Sequence, residues 1–332
     1  MTGWGRSTLG AERLRAVVAS AYAVHLVDLE PVEAGADAAA RTWRGTDAAG
    51  GSWAVREASG GSPAGLEAMA AVQAPGVPQP VRTVDSRLWS AQGDVRVSLV
   101  PWVVGRSALE VEPSREQWTA FGCLLAAVHA TPPVSLPPSL PRDDRSAGAV
   151  AALVAAADTA CATASDALGH DGAAAWAAGR ARVGRVLDDV RRPGTSGDEG
   201  RVLCHGDPHR GNLVVGDDRC SVWLIDWDDA ALSWRERDLL MVVEGLPGFS
   251  EVSDEERAWF EEGYGPLRVD AARLAHHRGV RALEDVALFA ADVQDTGRSD
   301  EQRAWALGLV RAHLADDGIL ALAERSAARL DP

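Results

Sequence analysis

The chain has 332 residues, of which 46% are hydrophobic and 24% charged, as in a soluble globular protein with ample length to bury a core. A formal net charge of -15 disfavours binding to nucleic acid or to anionic lipid and mildly favours cationic small molecules. We therefore expect no nucleic-acid partner and no membrane partner.

Targeting features and cysteines point to a cytoplasmic protein. Residues 1–20 contain no apolar stretch of the kind found in secretory signals. The alanine-rich run 147–164 is interrupted by Asp158 and predicts a helix of a globular protein. The four cysteines form no CxxC pair, which favours free thiols in a reducing compartment. The oligomeric state is left open by these features.

The first hundred residues predict a small β-rich lobe with one helix. A short amphipathic helix over 11–20 comes first, and turns rich in Gly, Ala and Asp separate the strands that follow. SPAGLEAMAAVQ, with proline at an early position, has the pattern of a helix start. The predicted strands are 23–32, 38–45, 53–56, 86–92 and 94–102.

The rest of the chain predicts a larger, mainly helical lobe. Apolar residues at helical spacing mark a helix over 115–130, and alanine-rich helices extend to about residue 190. A short β segment over 201–229 interrupts the helices, which then continue to the end. The predicted class is α+β, with an N-lobe over 1–100, a hinge over 101–105 and a C-lobe over 106–332.

Residues 202–229 contain the motif with the clearest chemistry. A polar loop carries His205, Asp207 and Asn212, and a predicted hairpin then brings Asp226 back beside that loop. Phosphoryl transfer needs a divalent metal and an acceptor hydroxyl held near a carboxylate. Two carboxylates and one amide oxygen, held by apolar strands, supply a suitable set for magnesium.

The segment resembles the aminoglycoside phosphotransferase and choline kinase family. That family has the pattern H-x-D-x-x-x-x-N followed by a hydrophobic strand and Asp, matched here by residues 205–212 and 224–226. The resemblance implies a bilobal protein-kinase-like fold that binds ATP and Mg²⁺ and phosphorylates a small-molecule hydroxyl. It implies Asp207 as catalytic base or orienter, Asn212 and Asp226 as magnesium ligands, and His205 as a brace. Asp228 is either a second metal contact or a cap of the hairpin end.

Asp226-Trp227-Asp228, with residues 235–239 and 282–289, is most similar to spectinomycin phosphotransferases. This similarity implies an aminoglycoside or aminocyclitol acceptor, and Glu284 and Asp285 become candidate substrate contacts. Kinases of choline, homoserine or sugars remain alternatives, since related kinases use those acceptors. Arg237 and Asp238 are interpreted as a buried structural pair.

The nucleotide side departs from the family. The chain has no lysine, so a Walker A loop is excluded, and Arg56 stands where the family places a lysine, with Glu67 as its expected partner. By resemblance, the turn with Gly35 and Asp37 would face the phosphates. The adenine would then bind the backbone of the segment that contains Val100 and Trp102.

Two rival functions remain open. Arg56 in the lysine position is compatible with a nucleotide-binding pseudokinase or regulatory module. A zinc hydrolase would use His205, Asp207 and His209 as ligands, although no further ligand lies at a convincing spacing.

Overall fold

The computed structural model describes residues 9–32, 40–143, 147–192 and 200–330. The helices are α1 (Ala11–Tyr22), α2 (Ala64–Ala71), α3 (Arg115–His129), α4 (Ala147–Ala162), α5 (Ala167–Val190), α6 (Glu236–Val243), α7 (Asp254–Tyr264), α8 (Ala271–Gln294), α9 (Asp300–Leu314) and α10 (Ile319–Ala328). The strands are β1 (Leu26–Pro31), β2 (Ala40–Asp47), β3 (Ser52–Ser59), β4 (Ser90–Gln92), β5 (Val95–Pro101), β6 (Arg106–Ser107), β7 (Val202–Cys204), β8 (Leu213–Val215), β9 (Val222–Leu224), β10 (Ala231–Ser233), β11 (Gly245–Leu246) and β12 (Ser250–Glu251). This mixture confirms the predicted α+β class.

The chain divides into two compact units. The first contains Met1–Pro141, His205–Ala231 and Glu262–Gly265, and the second contains Arg142–Cys204, Leu232–Glu261 and Pro266–Pro332. The lobe boundaries at residues 100 and 106 stay a prediction.

A five-stranded antiparallel sheet, in the order β1-β2-β3-β5-β4, dominates the first unit. Val55 of β3 and Val97 and Leu99 of β5 are fully buried, and they belong to the same apolar cluster as Leu14 of α1. Each such side chain contributes about 1.5–3 kcal/mol when fully buried. Arg56 lies next to Val55, in register with Ser98 of β5. The position of Arg56 is therefore set by a strand paired on both sides.

The motif hairpin forms a second small sheet in the first unit, in the order β6-β8-β9. Two hydrogen bonds connect the N-terminus of helix α3 to the turn of this hairpin. Ser114 donates from Oγ to the carbonyl of Arg219 (2.7 Å), and Gln117 donates from Nε2 to the carbonyl of Gly216 (2.8 Å). The same two side chains form a capping box, which satisfies backbone N–H groups at the start of α3.

The second unit is mainly helical, and α4, α5, α8, α9 and α10 contribute to one apolar core. Asp158 of α4 accepts hydrogen bonds from Trp176 Nε1 and Arg180 Nε of α5, both at 2.8 Å. Arg237 is buried as predicted, and its guanidinium lies 3.6 Å from the Asp143 carboxylate. Among the described residues, no helix is long and apolar enough to cross a membrane.

One prediction about the second half of the chain is wrong. The sequence predicted only helices after residue 229, whereas β10, β11 and β12 follow it. Strands β11 and β12 have two residues each and pair across a turn that contains Gly248. Such short strands carry no alternation of apolar and polar residues, which is the signal from which strands are predicted.

Candidate active site

His205 links the motif loop to the strand that follows it. Its side chain is fully buried, and its Nε2 lies 3.0 Å from the carbonyl oxygen of Ile225. Its Nδ1 accepts a hydrogen bond from the backbone N–H of Asp207 at 3.3 Å. The ring also meets the Trp227 ring edge-on, with centroids 4.9 Å apart. Since Nδ1 is an acceptor, the proton is on Nε2 and is donated to Ile225.

The loop is closed by further hydrogen bonds around Asp207. Asn212 donates from Nδ2 to the backbone carbonyl of Asp207 (2.8 Å), and Ile225 donates its N–H to the carbonyl of Asn212 (3.0 Å). The Asp207 carboxylate lies 3.4 Å from Nε2 of His209. His209 Nδ1 accepts from the N–H of Gly211 at 2.9 Å, so Nε2 carries the proton that faces Asp207.

Asp226, two residues after the end of β9, has an unusual backbone conformation. Its φ is 62°, in the left-handed region that Asp tolerates better than most side chains. Partial withdrawal from water and then the Asp228 carboxylate raise the pKa of Asp226, while Arg56 acts in the opposite direction. Even so, 56% of its side chain is exposed, so the carboxylate has an open side.

Arg56 reaches the same carboxylates from the centre of β3. Its Nη1 donates to Asp228 Oδ1 at 2.8 Å, and its Nη2 pairs with Asp228 Oδ2. The guanidinium also lies 3.8 Å from Asp226 Oδ1. Glu67, the partner expected from the sequence, accepts a hydrogen bond from Ser139 Oγ. The pair between Arg56 and Glu67 stays a prediction.

Helix α2 makes a close approach that sequence reasoning missed. A Cβ on Gly65 would lie 2.2 Å from the carbonyl oxygen of Trp227 and 3.2 Å from Cα of Asp228. Only a residue without a side chain allows this helix to pack directly on the segment that carries Asp226 and Asp228. The available signal was the set of small residues Ala64, Gly65 and Ala68, all three of which are buried.

The predicted adenine segment lies at the end of β5. Val100 is opposite Ala54 in the sheet, and Trp102 donates its N–H to the carbonyl of Ser52 at 2.9 Å. The guanidinium of Arg44 lies over the Trp102 ring, 5.1 Å from its centroid. Gly35 and Asp37 lie outside the described residues.

The two candidate substrate contacts, Glu284 and Asp285, are in α8 of the second unit. Asp285 accepts from Arg281 Nε at 2.8 Å and lies 3.8 Å from His313 Nε2. A bound substrate would have to compete with these partners. The role of both residues as substrate contacts stays a prediction.

The geometry of His205 does not fit the zinc hydrolase. Both ring nitrogens of His205 lie within hydrogen-bonding distance of backbone groups, so zinc coordination would break a bond that holds the loop. Because a zinc ligand must offer an unprotonated nitrogen to the metal, this triad is disfavoured.

Comparison with known proteins agrees with the motif. The model of the phosphotransferase enzyme family (APH) matches residues 28–283, which is well over half of the chain. The chain belongs to this family. The sequence-based predictions of the family and of a phosphotransferase enzyme are thereby confirmed.

Solved structures show the fold of this phosphotransferase. Spectinomycin phosphotransferase APH(9)-Ia, in complex with ADP and spectinomycin, superposes with a TM-score of 0.84 at 20% identity, covering 96% of this chain and 99% of that one. Amicoumacin kinase hAmiN, in complex with AMP-PNP, Ca²⁺ and Ami, gives 0.62 at 16% identity (94% and 95% covered). Macrolide 2'-phosphotransferase MphH from Brachybacterium faecium gives 0.56 at 19% identity (90% and 97% covered). No curated protein sequence matches the chain. The predicted kinase-like fold is confirmed.

Proposed function

We propose that this phosphotransferase transfers the γ-phosphoryl group of ATP, with Mg²⁺, to a hydroxyl of an aminoglycoside or aminocyclitol such as spectinomycin. The observation that carries the proposal is the grouping of Asp207, Asn212, Asp226 and Asp228 around the end of one hairpin, with Arg56 facing Asp226 and Asp228. In phosphoryl transfer, the protein acts mainly by positioning the reactants and by stabilising charge, and this set of side chains supports both tasks.

Asp207 is proposed to receive the proton of the acceptor hydroxyl as the hydroxyl oxygen attacks phosphorus. The contact with His209 Nε2 supports this role, because it restrains the position of the Asp207 carboxylate. His205 is proposed to hold the loop against the strand end through Ile225, as its two hydrogen bonds allow.

The metal would be held by Asn212, Asp226 and Asp228. These residues offer an amide oxygen and two carboxylates, the donor types that Mg²⁺ prefers beside phosphate oxygens and water. The orientation of the Asn212 amide fits this role, because Nδ2 is bound to Asp207 and Oδ1 is the atom that remains for a metal. When bound, the metal supplies the charge that neutralises the phosphates.

On the nucleotide side, Arg56 is proposed to contact the phosphates with Glu67 as its partner. The turn that the sequence predicts at Gly35 and Asp37 is proposed to contact them as well. Val100 and Trp102 are proposed to border the adenine. A guanidinium keeps the charge of the family lysine and can bind a phosphate through two N–H groups.

Two observations favour a cationic antibiotic as acceptor. The net charge of -15 attracts cations, and the phosphotransferase of known structure that superposes at 0.84 holds spectinomycin. Glu284 and Asp285 are kept as proposed substrate contacts. Choline, homoserine or a sugar is the alternative acceptor, and a pseudokinase is the alternative to catalysis. Free thiols at all four cysteines support a cytoplasmic location.

The test is Mg²⁺-dependent consumption of ATP by wild type, Asp207→Ala and Asp217→Ala. Each protein is assayed with spectinomycin, other aminoglycosides, choline, homoserine and simple sugars. Asp217→Ala is the matched control, because this substitution removes a carboxylate from the turn of the same hairpin. The side chain of Asp217 is 90% exposed there.

Turnover that spectinomycin stimulates should fall by about 10²-fold or more in Asp207→Ala and stay unchanged in Asp217→Ala. Stimulation by choline, homoserine or a sugar alone would replace the proposed acceptor class. Nucleotide binding with no turnover on any acceptor would favour the pseudokinase. Full turnover by Asp207→Ala would refute the role of that residue.

A further inference from the structure

Arg56 holds both oxygens of a carboxylate that is proposed to bind the metal. The guanidinium pairs with Asp228 through two N–H groups and lies 3.8 Å from Asp226. The side chains of Asp226 and Asp228 are 56% and 54% exposed, so the pairing is formed at an open surface that an ion from solvent can reach. Arg56 itself is 28% exposed, and its strand is paired on both sides.

A guanidinium and a divalent cation compete for these oxygens. Carboxylate oxygens are ligands for Mg²⁺ and Mn²⁺, and they also match the planar fork of arginine. A free ion that takes Asp228 has to displace Arg56 and then remain beside its positive charge. The affinity for the ion alone is therefore lowered by two effects, the loss of the pair between Arg56 and Asp228 and the repulsion by the charge of Arg56.

A nucleotide changes this balance, since it brings phosphate oxygens together with the ion. Arginine binds phosphate through two N–H groups in the same planar geometry that it uses with a carboxylate. When Arg56 leaves Asp228, it can move to a phosphate and keep its charge paired. A lysine could not reproduce this exchange fully, because an ammonium is a point charge without a planar fork.

We propose that Arg56 is a specificity-determining residue, which makes the site select a metal–nucleotide complex over a free divalent cation. The proposal rests on the proposed function, because it takes Asp226 and Asp228 as metal ligands. Arg56 then couples the binding of the metal to the binding of the nucleotide, so that each increases the affinity for the other by the same factor.

Binding of Mn²⁺, followed by electron paramagnetic resonance of the free ion, tests this coupling without turnover. Wild type, Arg56→Gln, Arg56→Lys and Arg15→Gln are titrated with Mn²⁺ alone and with Mn²⁺ plus the non-hydrolysable analogue AMP-PNP. Arg15→Gln is the matched control, since it removes the same charge from a surface pair with Asp28. Circular dichroism checks that each variant is folded.

Arg56→Gln should bind Mn²⁺ alone about tenfold more tightly, the effect of removing one positive charge about 5 Å from a divalent ion under water-like screening. The gain in Mn²⁺ affinity caused by AMP-PNP should shrink by a similar factor. Arg56→Lys should lie between wild type and Arg56→Gln, and Arg15→Gln should match wild type.

Equal or weaker binding of Mn²⁺ alone by folded Arg56→Gln and Arg56→Lys would overturn the inference and leave the proposed metal site standing. No uptake of Mn²⁺ by any of the proteins, even with AMP-PNP, would overturn both.

Discussion

Gly65→Ala gives a sharp test of the contact between α2 and the segment after β9. In most helices, replacing glycine by alanine is favourable by up to about 1 kcal/mol, because alanine has the higher helix propensity. At Gly65, the new Cβ would lie 2.2 Å from the carbonyl oxygen of Trp227, and the three atoms nearest to it are all backbone atoms. A flexible side chain cannot rotate away to relieve the overlap.

The expected net effect is destabilising. Ordinary contact with that oxygen needs a separation of at least 3.4 Å, so α2 and the Trp227 segment must move apart by about 1 Å. Overpacking of this kind costs about 1–3 kcal/mol, which exceeds the gain in helix propensity. The shift also displaces Asp228, and a misplacement of about 1 Å at a reacting site lowers the rate by about 10²-fold.

Thermal unfolding and acceptor-stimulated ATP turnover measure the two effects. Gly308→Ala in α9 is the matched control, since a Cβ there meets no atom within 4 Å. We expect Gly308→Ala to unfold at the wild-type temperature or slightly above it with full turnover, and Gly65→Ala to unfold a few degrees lower with reduced turnover. If Gly65→Ala is as stable and as active as Gly308→Ala, the close packing of α2 does not constrain the site.

Three further predictions concern single side chains. The surroundings of Asp226 raise the pKa of its carboxyl group, so ionisation of this group destabilises the fold as pH rises. Without metal or nucleotide, Asp226→Asn should therefore unfold about one or two degrees above wild type at pH 7, and this gain should be lost below about pH 4. His209→Asn keeps a hydrogen-bond acceptor for the turn but removes the group that faces Asp207, and should lower kcat about tenfold with little change in KM for ATP. Asp158→Ala should cost about 1 kcal/mol of stability at pH 7 and leave turnover unchanged.

Each of these predictions has a clear contrary result. A lower unfolding temperature for Asp226→Asn at pH 7 would show that the carboxylate stabilises the fold. An effect of His209→Asn on KM for ATP alone would place that residue in nucleotide binding. The hydrogen bond from Arg180 lowers the pKa of Asp158, so the stability lost in Asp158→Ala should shrink only as pH falls below the ordinary aspartate pKa and should vanish once pH has fallen through the lowered pKa of the folded protein. A loss that persists at that pH would have another origin.

The sequence was sufficient to predict the parts of the fold and site that depend on local order. His205, Asp207 and Asn212 lie within eight consecutive residues, and Asp226 is separated from them by one short hairpin. The predicted strands of that hairpin correspond to β8 and β9, since apolar runs flanking a turn determine the pairing.

Contacts between distant segments could not be predicted in the same way. Arg56 and Asp228 are 172 residues apart, and their pairing depends on how β3 packs beside the segment after β9. The sequence suggested Glu67 because it lies on the next helix. The approach of Gly65 to Trp227 was missed because a glycine near a helix start also has a purely local explanation.

The backbone at Asp226 restricts how this position can change in evolution. At a φ of 62°, Gly, Asn and Asp are the residues tolerated best, and of these Asp alone has a carboxylate. Glutamate would keep the charge on a disfavoured backbone, whereas Asn and Gly would keep the backbone and lose the charge. Asn and Gly codons are each one nucleotide change from those of Asp. We therefore expect copies of such a gene that have lost activity to encode a protein that still folds, with Asn or Gly at this position.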